Sequence, residues 1–127
     1  MEKTQRSRPI ILTLEFSEEI RKEELFQNEV IRPIIKMLND VLIAYFRDYI
    51  AVKKLAFSLL SEKEKNDFIE SAFNKDIPFR SETRGLIIGH FSTDEFMTYT
   101  EIKRGTNKRI NNIVKERIRS KIKELSE

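Results

Sequence analysis

Between Ile31 and Val52 the apolar side chains recur at alternating steps of four and three: Ile31, Ile35, Leu38, Leu42, Tyr45, Tyr49 and Val52. That is the period of an α-helix rather than of a strand. Ile34, Val41 and Phe46 widen the stripe, so that ten apolar residues fall within an arc of about 140° at 100° per residue. A stripe that wide needs cover from more than one neighbour. Pro33 suits the first turn, where its missing N–H costs nothing, and Lys36, Asp40 and Arg47 sit opposite the stripe. The pattern predicts a helix from Ile31 or Arg32 to about Lys54. Asn39 falls on the edge of the stripe, where a hydrogen bond to a neighbouring helix accounts for it as readily as a site does.

Composition agrees with a chain built of helices. Only three Gly and three Pro occur in 127 residues, so turns are few. The 39% hydrophobic share includes nine Phe, enough to fill a core despite 35% charged residues. The length suits one domain. Ser17–Phe26 reads as a short helix capped by Ser17, with Gln27–Glu29 as a link. Ser61-Glu62-Lys63-Glu64 is a capping box opening a helix to about Asn74. Asp76-Ile77-Pro78 opens the next, to Gly89 or His90. Ser92-Thr93-Asp94-Glu95 is a second capping box, with Phe91 and Phe96 at the staple positions. Its helix is expected to end at Gly105, with Lys103 and Arg104 in the last turn. The last helix runs from Thr106 or Asn107 to Leu125, with Ile110, Ile113, Val114, Ile118, Ile122 and Leu125 on one face. Ahead of all this, Ile10, Leu12, Leu14 and Phe16 alternate like a strand. No second strand candidate follows. An extended arm on the bundle, or a strand paired with a second copy, are the two ways to use it.

The expected fold is therefore all-α, a single-domain bundle of five or six helices over 17–127, with a short extended N-terminal arm over 1–16. The absence of Cys excludes disulfides, thiol nucleophiles and thiolate metal sites. His90 is the one His, so a zinc site of several His cannot form within one chain. Neither a glycine-rich phosphate loop nor a nucleophile elbow is present. No cofactor is expected. The charged start and the lack of a long apolar run point to a cytoplasmic protein with no membrane partner.

Charge is distributed unevenly. Residues 101–127 hold nine basic and four acidic side chains, a local balance of +5, against −2 for the first hundred. Lys108, Lys115, Arg119 and Lys123 share an arc of about 80° on the last helix. Such a stripe is an electrostatic footprint for nucleic acid or another polyanion, or a solvated face complementing the acidic remainder. No aromatic interleaves it, so base stacking is not suggested. Around Gly105, the run Lys103-Arg104-Gly105-Thr106-Asn107-Lys108-Arg109 gathers basic side chains at a helix start, which suits a phosphate or carboxylate. A Glu or Asp from a neighbouring helix would use the same cations. Arg104, Lys108, Arg109, Lys115, Arg119 and Lys123 are thus the anion or nucleic-acid candidates. Arg117 and Lys121 fall inside the apolar face, as snorkelling or ion-paired residues. Gly85 and Gly89 read as a packing contact and a helix cap. Asn39, Arg80, Arg84 and His90 are the candidates for a polar pocket.

Four blocks of sequence also carry a resemblance: Ile31-Arg32-Pro33-Ile34-Ile35-Lys36, Asn39-Asp40, Gly85-Leu86-Ile87-Ile88-Gly89-His90-Phe91, and Asn107-Lys108-Arg109-Ile110 with Ile113-Val114-Lys115-Glu116-Arg117. From about Leu25 onward the chain resembles a family of small, uncharacterised bacterial helical proteins, some members of which are labelled "glyoxalase". The label implies a metal held by His and Glu on a paired βαβββ fold. This sequence has one His and one strand candidate. The family brings no motif with an established role, so no catalytic residue is carried over. Three functions follow as expectations. The first is a non-enzymatic interaction or structural module, self-associating or meeting an acidic protein through the last helix. The second is polyanion or nucleic-acid binding by the basic C-terminal helix. The third is an enzyme on the Asn39, Arg80, Arg84 and His90 pocket.

Overall fold

The computed structural model describes residues 17–127. The expected arm lies outside them. Helix α1 (17–26) continues without a break into a π turn at Gln27–Ile31 and on into α2 (Arg32–Met37). At Leu38 the backbone turns to φ −89° and ψ 10°. The Leu38 N–H still bonds the Ile34 carbonyl at 2.9 Å, and the Leu42 N–H bonds the Leu38 carbonyl at 2.8 Å. Helix α3 (Asn39–Val52) therefore follows as a bent continuation. The link expected at Gln27–Glu29 is a turn of this long helix, because none of its polar residues is a helix breaker. Helix α3 stops with the Leu55 N–H on the Ile50 carbonyl at 3.3 Å and the Lys54 N–H on the Ala51 carbonyl at 2.9 Å. This is a Schellman ending, with Lys54 at φ 54° where glycine is usual.

After a 3₁₀ turn at Phe57–Leu59 come α4 (Glu62–Lys75), α5 (Ile77–Ile88), α6 (Thr93–Glu101), α7 (Lys103–Arg119) and α8 (Ile122–Leu125). The described residues are all-α, divided into more segments than the five or six expected. The bend at Leu38 and a break at Ser120–Lys121 make the difference. Both capping boxes form. Ser61 Oγ accepts from the Glu64 N–H at 3.1 Å while Glu64 Oε1 accepts from the Ser61 N–H at 2.9 Å. Ser92 and Glu95 repeat the exchange at 3.1 and 2.8 Å. Phe91 and Phe96 both pack on Tyr99, with ring centroids 5.5 and 5.8 Å away. Helix α6 ends at Glu101 rather than Gly105, and Lys103 and Arg104 stand in the first turn of α7. Gly85 is exposed, with nothing near its Cα for a side chain to meet, so it is no packing contact. Gly89 caps α5 with an ordinary right-handed φ of −61°.

The stripe that opens the sequence supplies the centre of the core. Ile31, Ile35, Leu42 and Phe46 are fully buried, or within 1% of it. They meet Ile69, Phe73, Ile87, Ile110, Val114 and Ile118 from α4, α5 and α7. Phe46 lies in a run of aromatic rings, with centroids 5.7 Å from Tyr49, 5.9 Å from Phe68 and 5.8 Å from Phe79. A second group, Phe26, Phe91, Tyr99 and Phe96, closes the other end. One flank of the stripe stays uncovered: Met37 and Val41, one turn apart, are 63% and 49% exposed.

The α4–α5 corner is fixed by Asp76. Its carboxylate caps α5 by accepting from the Phe79 N–H at 3.1 Å, and it accepts from the Tyr49 hydroxyl at 2.7 Å. Lys53 Nζ lies 3.7 Å away. The Tyr49 hydroxyl, the Phe79 amide and Lys53 hold the Asp76 carboxyl below its ordinary value. Burial, then the Asp76 carboxylate, pushes the Tyr49 phenol up to about 12. A lowered carboxyl stabilises the fold fully above its unfolded value of about 4, and that contribution is lost as pH falls through the folded value. Asp76→Ala removes the cap and the phenol's partner together. A loss of about 1–2 kcal/mol is expected by thermal melting at neutral pH. In a phenolate absorbance titration, the latest-titrating tyrosine should move to lower pH in the variant.

Candidate functional site

The π turn determines which side chains of the long helix face α7. Glu19, Glu23 and Gln27 follow one another at steps of four along α1. The next step would bring Ile31 to the same face. Instead the Arg32 N–H bonds the Gln27 carbonyl, five residues back. The inserted residue turns Ile31 into the core at 0% exposure and brings exposed Arg32 to the open face. π turns within α-helices are found often at functional sites.

Helix α7 runs alongside in the same direction. Glu23 lies against Gly105, Gln27 against Arg109, and Asn39 against Arg117. Between the two helices is an open groove of about 910 Å³. Glu19, Ile20, Glu23, Gln27 and Arg32 form one wall. From α7, Arg104, Lys108, Asn112 and Glu116 face them, with Arg109, Ile113 and Arg117 alongside. Past Arg32 and Arg117 a smaller concavity of about 410 Å³ continues the groove to Asn28, Pro33 and Lys36.

The charges in the groove are unevenly satisfied. Arg109 is held from within, its Nη1 donating to Gln27 Oε1 at 2.9 Å and its Nε lying 3.7 Å from Glu23 Oε1. Glu116 is engaged by Arg119 at 2.8 Å. Among the described residues, Arg32, Arg104, Lys108 and Arg117 have no carboxylate at ion-pair distance. Arg32 Nε donates to Asn28 Oδ1 at 3.3 Å and Arg117 Nη1 to Asn39 Oδ1 at 3.5 Å, both neutral partners.

The basic candidates read from the sequence separate in space. Arg104, Lys108 and Arg109 line the groove. Lys115 and Arg119 turn towards α4, where Lys115 Nζ donates to Glu70 Oε1 at 3.0 Å and Arg119 pairs with Glu70 Oε2. Hydrogen bonds from Lys115 and Asn74, with the charge of Arg119, hold the Glu70 carboxyl below its usual range. Lys123 sits on α8, past the break, beside Arg119 in a shallow concavity with Glu62 and Lys65. The continuous stripe expected on one helix is therefore divided. No hydrogen bond among the described residues joins the polar-pocket candidates to one another. Asn39 stays beside Arg117; Arg80 Nη1 reaches the Phe73 carbonyl at 3.4 Å; Arg84 lies further along α5; exposed His90 has Nδ1 2.8 Å from the Leu86 carbonyl. None of the four lines the groove, its continuation past Arg32, or the concavities at Asp76, Lys123 and Glu101.

Nothing in the periodicity singles out Arg32, and the same pattern gives Arg117 only a snorkelling or ion-paired place on the apolar face. A polar Gln-Asn-Glu run before Arg32-Pro33 was the available trace of the former. Among the described residues no group of three or more His, Cys, Asp or Glu gathers to hold a metal ion. No helix of theirs is long and apolar enough to cross a membrane. No family model, curated protein or solved structure matches the chain.

Proposed function

We propose that this chain is a non-enzymatic helical interaction module whose α1–α2/α7 groove takes an acidic polypeptide segment. The observation that carries this reading is the set of four cations, Arg32, Arg104, Lys108 and Arg117, which share one groove without a carboxylate partner among the described residues. Complementary charge steers such a partner in and fixes its register. Ile20 and Ile113 give the groove an apolar component, and Gln27, Asn112 and Ser120 offer amide and hydroxyl groups. That mixture suits an amphipathic acidic helix better than a phosphate backbone. No aromatic lines the groove, so a nucleic acid would find nothing to stack on.

The test is a titration of the full chain with a labelled Glu/Leu-rich peptide of about sixteen residues, matching the Arg104–Ser120 face in length. A mixed-sequence oligonucleotide is titrated beside it, each at two salt concentrations. Peptide binding that weakens with salt, and exceeds oligonucleotide binding, is the expected result. Oligonucleotide binding without peptide binding would transfer the groove to nucleic acid, and binding of neither would remove the reading. Met37 and Val41 are an exposed apolar pair open to a second copy of the chain. Sedimentation of the same samples reads that association as a mass rising with protein concentration.

A further inference from the structure

One place in the groove is already filled by a carboxylate of the protein itself. Glu23 is the only charged side chain among the described residues that is buried, at 9% exposure. Its carboxylate lies across the Cα of Gly105, in the first turn of α7, where a Cβ would stand 1.5 Å from Oε1. Only glycine leaves that space open. The one ion-pair partner Glu23 has there is Arg109, at 3.7 Å, and no hydrogen bond to the carboxylate forms among the described residues. Next to Gly105 in sequence, Thr106 is fully buried with a hydroxyl that has no hydrogen-bond partner among the described residues. The first turn of α7 also lacks a side-chain cap. A buried carboxylate is costly when it is paired loosely and accepts no hydrogen bond. Glu23 is thus well placed but poorly held.

We propose that Glu23 is an internal stand-in for the partner's carboxylate. In the free protein it occupies the subsite made by Arg109, Gly105 and the open first turn of α7. An acidic side chain of the bound segment displaces it. This proposal rests on the groove reading above and adds its regulation: the affinity for the partner is lowered by the need to expel Glu23. Arg104 and Lys108, on the exposed row of the same helix, draw the incoming acidic segment to that end of the groove.

Glu23→Gln keeps the size of the side chain and removes the competing charge. Its affinity for the Glu/Leu-rich peptide is expected to rise by about tenfold. Glu19→Gln is the control, since Glu19 lines the same groove and changes the net charge equally, but is exposed. It should alter affinity by less than about threefold. Gly105→Ala supplies an independent arm, because its methyl group closes the place over Gly105 to the Glu23 carboxylate and to the partner's alike, without changing any charge. In the Gly105→Ala background, the gain from Glu23→Gln should shrink to that of Glu19→Gln, the coupling expected when two changes act on one contact. Equal gains from Glu23→Gln and Glu19→Gln, or weaker binding by Glu23→Gln, would overturn the stand-in while leaving the groove reading intact. Failure of every variant and the wild type to bind peptide would instead overturn the groove reading. Should Glu23→Gln not fold, judged by its circular dichroism melt, Glu23→Ala decides, since it removes the competing carboxylate and leaves the place over Gly105 open: tighter binding supports displacement, and unchanged or weaker binding overturns it.

Discussion

Phe46→Ala is expected to cost about 3–5 kcal/mol of folding stability. Phe46 is fully buried and packs within 6 Å, centroid to centroid, of Tyr49, Phe68 and Phe79. With Tyr49, it is one of two rings through which α3 packs on both α4 and α5. Removing it forfeits the burial of the ring and leaves a cavity, because neighbours set in three different helices cannot all close in. A domain of this size has about 5–15 kcal/mol in total, so the variant should melt far below the wild type. Phe96→Ala is the comparison. Phe96 is 43% exposed on α6 and touches Tyr99 alone among the aromatic rings. Its loss should stay near 1 kcal/mol. Circular dichroism melts of the two variants check the ranking. A Phe46→Ala melt as mild as that of Phe96→Ala would contradict the placement of α3 at the centre of the core.

The residues that order this core were legible because their signals are local. The Ser61–Glu64 and Ser92–Glu95 exchanges span three residues, and the Ile31–Val52 stripe repeats within one helix. What was hidden depends on partners distant in sequence. Gly105 looks like a helix stop when only its neighbours are considered. It is inside α7, and its missing side chain makes room for Glu23. Lys115 and Arg119 look like half of a basic stripe until Glu70, 45 and 49 residues away, comes beside them. The π turn is a matter of backbone register. One extra residue between Gln27 and Arg32 exchanges the faces of Ile31 and Arg32, and helical periodicity in the sequence assumes that no such insertion occurs. The width of the apolar stripe overstated its cover, since Val41 and Val52 remain exposed.

The second large effect concerns binding. Arg32→Glu/Lys108→Glu places a negative charge on each wall of the groove, where no carboxylate among the described residues lies at ion-pair distance from either native cation. Each reversal removes an attraction and adds a repulsion to an acidic ligand. Together they should weaken peptide binding by about a hundredfold or more at low salt. Both side chains are exposed, so the fold should be almost unaffected, with stability changing by less than about 1 kcal/mol. Lys115→Glu/Lys123→Glu makes the same change in net charge on the α4 side and on α8. If net charge alone attracts the peptide, the two double variants lose affinity equally. If the groove is the binding surface, only the first does.

The most direct measurement is therefore the affinity of the Glu/Leu-rich peptide for these two double variants, side by side at low salt. Loss of binding in Arg32→Glu/Lys108→Glu, with affinity kept within about threefold of wild type in Lys115→Glu/Lys123→Glu, is the predicted result. Equal loss in both, or loss only in the second, would contradict the assignment of the groove between α1–α2 and α7 as the site of an acidic partner.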